Sequence, residues 1–194
     1  ASAGAHQTVY GGGAHDGFVS LFTNSGGRVW STFYGGSGDD VCRGVAFDTT
    51  GGIAVTGFTT SASGISYNGQ QNTIGGSGDA FVVLLNSLCA RQWATYHGGL
   101  DDDEGLSIVR GPGGAFYVSG FTLSQSGIAT IGAFLPSSPG MLDGFLARYA
   151  NNGILQWCTY AGGGENDIIY DIAADANGDI FLAGWTESQG GIAT

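Results

Sequence analysis

Carboxylates are the chemically capable side chains that this chain gathers into runs. Asp39-Asp40, Asp101-Asp102-Asp103-Glu104 and Glu165-Asn166-Asp167 fall at matching places in three similar stretches. Consecutive carboxylates repel, and a hard cation relieves that repulsion through oxygen ligation. Calcium is the cofactor such residues suggest. Asp101, Asp102, Asp103 and Glu104 form the best ligand set, with Asp39, Asp40 and Asp167 behind them. The spacing is not that of an EF-hand loop. A structural reading competes: aspartate accepts backbone N–H bonds in glycine-rich turns. An acidic residue stands at the Asp40 position in every stretch, which favours capping over ligation.

Other chemistry is thinly supported. His6 and His15 lie near an N-terminal turn, and His97 stands where Tyr34 and Ala161 stand in the other stretches. A hydrolytic triad needs nucleophile, base and orienting acid in contact, and no spacing here argues for one. Glycoside cleavage needs two carboxylates across a cleft, and no pair stands out. Cys42, Cys89 and Cys158 show neither knuckle nor redox spacing, so they read as small, partly buried side chains. The expectation is a protein without catalytic residues. A secreted hydrolase ranks third among the functions weighed.

Composition narrows the partners. The 194 residues carry a net charge of −11, from 5 Lys+Arg against 16 Asp+Glu. Such a chain repels phosphate backbones, so nucleic acid is excluded as a partner, and anionic membrane surfaces are disfavoured. Cations and basic partner surfaces are favoured. The longest apolar run, Ala80 to Leu85, is too short to span a bilayer, so no membrane insertion is expected. No secretory leader pattern opens the sequence.

The stretches that must position these residues are three copies of one unit. Trp30, Trp93 and Trp157 repeat at spacings of 63 and 64, as do Asp16, Asp79 and Asp143, and Gly57, Gly120 and Gly184. A period this long marks one supersecondary unit per copy. Each copy holds four strand-like segments, in the first copy Asp16–Phe22, Arg28–Tyr34, Val41–Phe47 and Ile53–Phe58. The 38 glycines cluster between them. Asp48-Thr49-Thr50-Gly51 and Asp175-Ala176-Asn177-Gly178 suit tight hairpins with glycine at positive φ. Arg110-Gly111-Pro112-Gly113-Gly114 replaces that turn in the middle copy. The recurring glycines inside the fourth segment suggest a bulge or a close backbone approach. The recurring tryptophans read as packing between units, and the recurring aspartates as anchors of strand entry.

Four antiparallel strands per unit, repeated radially, describe a β-propeller blade. Trp30-Ser-Thr-Phe-Tyr-Gly-Gly-Ser-Gly-Asp-Asp40, with Val45-Ala-Phe-Asp48 and Gly52-Ile-Ala-Val-Thr-Gly57, resembles the bacterial β-propeller repeats known as SBBP repeats. Trp93–Asp103 and Trp157–Asp167 carry the same phrase, and Ser-x-x-Gly-Ile-Ala-Thr closes the later copies at Ser124–Thr130 and Ser188–Thr194. The resemblance implies a secreted or cell-surface bacterial protein with an adhesive or structural role and no shared catalytic residues.

The expected fold is therefore all-β, with propeller-type blades in three repeats spanning residues 1–66, 67–130 and 131–194. Three repeats are fewer than the four to eight blades of closed propellers. The chain begins and ends near one phase of the repeat, Gly4 matching Gly132 and Thr194 matching Thr130. It is then a segment of a longer array, half of a six-bladed pair, or a fibre unit. Self-association or flanking repeats are its expected partners. Hairpin placement favours blades phased half a repeat from the sequence copies. A structural or adhesive role comes first, extracellular or at the cell surface. Glycan or protein binding through loops such as Ser66–Ile74 and Leu135–Leu142 comes second.

Overall fold

The Asp-x-x-Gly turns at 48–51 and 175–178 each fold one strand antiparallel onto the next. In a computed structural model describing residues 1–2 and 4–192, Gly51 and Gly178 take φ of 90° and 97°. Asp48 accepts from the Gly51 N–H at 2.9 Å and donates its own N–H to the Gly52 carbonyl at 2.8 Å. Each residue type does what its backbone allows: aspartate closes the turn and glycine takes the left-handed step. Cys89 holds φ +63° where Gly26 and Gly153 stand in the other copies. The match of Thr194 to Thr130 lies outside the described residues.

Twelve strands result among the described residues: β1 Gly17–Phe22, β2 Arg28–Tyr34, β3 Asp40–Phe47, β4 Ile53–Thr59, β5 Asp79–Leu85, β6 Arg91–His97, β7 Asp103–Arg110, β8 Phe116–Thr122, β9 Asp143–Tyr149, β10 Leu155–Ala161, β11 Asp167–Ala174 and β12 Ile180–Thr186. The middle hairpin is a single 3-10 turn, Pro112–Gly114, with Gly113 and Gly114 at positive φ. The protein is all-β, and its strands form propeller-type blades. No helix of the described residues is long and apolar enough to cross a membrane.

The sheets cut across the sequence copies. β3-β4-β5-β6 make one four-stranded blade and β7-β8-β9-β10 a second, while β1-β2 and β11-β12 are two-stranded. The inner strands β3, β7 and β11 pack side by side, and β1 packs on β3. Strands one and two of a sequence copy are thus the outer half of one blade, and strands three and four the inner half of the next.

Alternation along the central strands divides the core. Ala80, Val82 and Leu84 of β5 face the second blade, with Phe116, Phe145, Tyr149 and Tyr160. Phe81, Val83 and Leu85 face the other way, onto Val19, Trp30 and Tyr34 of the first half-blade. Side chains alternate faces along a strand, so β5 is buried throughout.

The recurring glycines of the fourth segment answer to a close approach. A Cβ on Gly57, Gly120 or Gly184 would overlap the carbonyl oxygen of Val41, Glu104 or Ile168 across the hairpin. The register slips beside each contact, at Cys42/Gly44, Gly105/Ser107 and Ile169/Asp171. A bulge of this kind tightens strand twist.

Candidate functional site: carboxylate pairs and open blade edges

Two aspartates meet at the blade end in each copy. Asp79 opens the outer half of the first blade, and Asp103 opens the second blade; both are buried. Asp79 accepts from the N–H groups of Gly75 at 2.9 Å and Gly76 at 3.2 Å, and from Gln71 Nε2 at 2.9 Å. Asp103 Oδ2 accepts from the Gly99 N–H at 2.7 Å and Ser124 Oγ at 2.9 Å. Asp40 repeats this with Gly36 and Ser61, each at 2.8 Å, and Asp167 with Gly163 at 2.6 Å and Ser188 at 2.9 Å. Asp16 and Asp143 accept from Gly11 and Gly140 in the manner of Asp79.

A glycine is wedged between the carboxylates. A Cβ on Gly98 would stand 2.7 Å from both Asp79 Oδ1 and Asp103 Oδ2, and Gly35 and Gly162 occupy the same place in the other copies. Asp16 Oδ1, Asp103 Oδ1, Asp143 Oδ1 and Asp167 Oδ1 are buried without a hydrogen-bond partner. Burial raises Asp40, Asp79 and Asp143 above the usual range; hydrogen bonds pull the other way, and the carboxylates of Asp16, Asp102 and Asp167 respectively add a smaller push upward. The same forces push Asp103 up to about 6. With glycine backbone in the gap, each pair is a closed structural joint.

The acidic run of the middle copy does not converge. Asp101 and Asp102 are exposed, Asp103 turns inward, and Glu104 reaches across to Arg43 Nε at 2.5 Å. Strand alternation separates the four carboxylates, because neighbours in an extended chain point to opposite faces. Asp39 Oδ1 accepts from the Ala14 and His15 N–H groups. Among the described residues, no group of three or more His, Cys, Asp or Glu is placed to hold a metal ion.

The sequence did not reveal a second buried cluster. His97 Nδ1 and the Tyr149 hydroxyl share a hydrogen bond of 2.7 Å, and Cys158 Sγ lies 3.6 Å from His97 Nε2. This joins β6 of one blade to β9 and β10 of the next. The pairing looks like a nucleophile and its base, but all three residues are buried. Burial lowers His97 to about 4 and, with Asp103 adding to it, raises the Cys158 thiol far above its ordinary value. Neutral thiol and neutral imidazole in a dry core do not make an activated nucleophile. All three cysteines are free.

The tryptophans and loops also belong to the frame. Trp93 Nε1 donates to the Asn151 carbonyl of the next blade at 2.8 Å, and Trp157 lies against Tyr117, ring centroids 5.9 Å apart. Trp30 is buried with Nε1 unpartnered. The loops Ser66–Ile74 and Leu135–Leu142, which read as unrepeated, share an anchor. The N–H groups of Gln7, Gln71 and Leu135 each donate to a threonine Oγ1 (Thr32, Thr95, Thr159) at 2.9 Å. These three positions keep the 64-residue period, so the signal was present in the sequence. It was hidden because the side chains differ while the bond uses only backbone.

Two faces have no such frame. β1 and β12 each have one sheet neighbour. Phe18 on β1 is 69% exposed, whereas its counterparts Phe81 and Phe145 are fully buried. Phe181 on β12 is 61% exposed, against 0% for Ala54 and 6% for Tyr117. One groove at the first end is lined by Phe18, Leu21, Val45 and Phe47, and another at the second end by Phe134, Leu182, Trp185 and Ile192.

Comparison with known proteins agrees with this architecture. Residues 156–191 match the family of β-propeller repeats named SBBP. The matched span runs from the outer strand of the second blade through both strands of the last half-blade. A search of curated proteins gave no match to the chain.

Proposed function

We propose that this chain, with its SBBP β-propeller repeat at residues 156–191, is a non-catalytic structural or adhesive module working outside the bacterial cell. One observation carries the reading. The buried carboxylates and the linker serines bond in the same way in every copy, and the tyrosine hydroxyls do so in two of the three, Tyr34 of the first copy donating instead to the Ile65 carbonyl. Tyr96 donates to the Ser61 carbonyl at 2.6 Å and Tyr160 to the Ser124 carbonyl at 2.8 Å, one repeat apart. A group that recurs in every unit serves the unit. The cluster of His97, Tyr149 and Cys158 does not recur, and it is sealed.

The family resemblance supports an extracellular setting. A ligand site is usually a cleft with a few convergent polar groups; the two grooves around Phe18 and Trp185 are apolar and lie at blade edges, and the polar one beside Glu165 and Glu187 is an open surface loop. The test is a turnover screen on polysaccharide, peptide and ester substrates, run beside a glycan array and binding to bacterial surface preparations. No turnover is expected on any substrate. Saturable hydrolysis abolished by a single carboxylate substitution would overturn the reading. Saturable glycan binding lost on changing Tyr67, which is exposed and stacked 5.0 Å from Arg91, would favour a binding module instead.

A further inference from the structure

We infer that the seam between the two complete blades is an acid-operated joint: a proton gained by His97 releases β6 from β9 and β10 and bares the Cys158 thiol. Both sides of this seam belong to four-stranded sheets. The inference is independent of the structural reading above.

The argument starts from one repeat position filled in two ways. Tyr34 and His97 correspond in successive copies, and each ring packs on a phenylalanine of the next blade. Tyr34 lies on Phe81 with centroids 5.0 Å apart, and His97 on Phe145 at 4.9 Å. The Tyr34 hydroxyl donates to the Ile65 carbonyl at 2.7 Å, a bond that acid does not touch. His97 instead turns both ring nitrogens across its seam. Nδ1 meets the Tyr149 hydroxyl on β9 at 2.7 Å, and Nε2 meets Cys158 Sγ on β10 at 3.6 Å. A neutral imidazole has one donor and one acceptor nitrogen, and a hydroxyl and a thiol can serve either. A protonated ring donates from both and carries a charge, and sulfur is a weak acceptor. A buried charge is costly unless it is paired.

No countercharge stands ready for it. The groups facing His97 from β9 and β10 are Phe145, Tyr149 and Cys158, all uncharged. Two carboxylates flank the next residue: a Cβ on Gly98 would meet Asp79 of β5 and Asp103 of β7. Burial raises both, Asp103 up to about 6, whereas burial lowers His97 to about 4. As pH falls, Asp103 is therefore neutral before His97 gains its proton. Water is left to solvate the charged ring, and it reaches the ring when the seam parts. In the open seam His97 returns toward its ordinary 6.5, so opening gains as pH falls from 6.5 to 4.

The molecule carries its own control. Cys158 is buried in the His97 seam, and Cys89 is buried in the cluster around Tyr34. The test is labelling with a pyridyl disulfide, which reacts with thiols in acid, followed by peptide mass spectrometry. Rates are taken relative to the urea-unfolded chain at the same pH. Between pH 7 and 4, protection of Cys158 should fall about 100-fold further in the wild type than in His97→Gln. Strand circular dichroism and the protection of Cys89 should hold. Asp103 opposes the opening in both chains, so it cancels from that ratio. Asp103→Asn removes the opposition and should show the fall directly, which keeps the test decisive if His97→Gln does not fold. Cys158 that stays protected at pH 4 in Asp103→Asn would overturn the inference. So would Cys89 and Cys158 opening together, or His97→Gln opening as the wild type does.

Discussion

Phe81 and Phe18 are one residue of the repeat placed in two surroundings. Phe81 sits in a complete blade with Val19 and Trp30 of a neighbouring sheet against it, and Phe18 sits in a half-blade with nothing over it. The same contrast holds between Ile108 and Val45. A repeat sequence therefore sets what a position is suited to do, and the presence of the next blade decides whether it does it. Stability in such a stack is a sum of unit terms and neighbour terms, and the half-blades lack a share of the second.

Truncating each member of the pair gives the largest expected difference. Phe81→Ala should cost about 3–5 kcal/mol, the usual range for a buried aromatic. Phe18→Ala should cost under about 0.5 kcal/mol in the single chain, as at other surface sites. Urea unfolding at low protein concentration measures both. Equal losses would mean that the first half-blade is as well packed as the complete one.

Acid should act in opposite senses on two buried joints in the middle of the stack, His97 and Asp103. Folded His97 gives up its proton near pH 4 against 6.5 when unfolded. Below 6.5 the unfolded chain binds more protons, so this contribution is whole above pH 6.5 and is lost as pH falls toward 4. Asp103 works in the opposite sense. Folded, it keeps its proton to about pH 6 against 3.8 unfolded, so its contribution is whole below 3.8 and lost as pH rises through 6. Each span corresponds to roughly 3 kcal/mol at most. Unfolding midpoints followed from pH 4 to 8 should show His97→Gln losing the acid-side fall and Asp103→Asn losing the fall on the neutral side. Slopes unchanged in both variants would refute the assignment.

Smaller effects are expected at the blade surfaces. Glu104→Gln breaks the link to Arg43 between inner strands and should cost under about 1 kcal/mol, since the arginine is half exposed and screened. Smallest is the response to calcium. With Asp101 and Asp102 exposed and Asp103 and Glu104 turned apart, calcium or chelator should move the melting temperature by less than about 1 °C, since a shift requires binding to the folded state. A rise that saturates with calcium would restore the ligand set of residues 101–104.

Much of this architecture was legible before any coordinates. Periodic tryptophan, aspartate and glycine announced the repeat, Asp-x-x-Gly marked the hairpins, and alternating apolar residues marked the strands. The carboxylate pairs were half legible. Asp79 and Asp103 were each noticed, but their meeting was not, because they belong to neighbouring blades and approach only when Gly98 lets the backbones close. The contact of His97 with Tyr149 and Cys158 left no trace, since three residues at three different repeat positions carry no shared period.

By itself the sequence determined the unit: which stretches extend, where they turn, which glycines must stay glycine and which chemistry is scarce. Those properties depend on backbone sterics and side-chain polarity, which act over a few residues. Only the tertiary structure decided where a blade starts and stops. The strand order places the break in the middle of each copy, so that β1-β2 and β11-β12 form two separate two-stranded sheets. Strand pairing is a contact between distant segments, and an edge is recognised only by the partner it lacks.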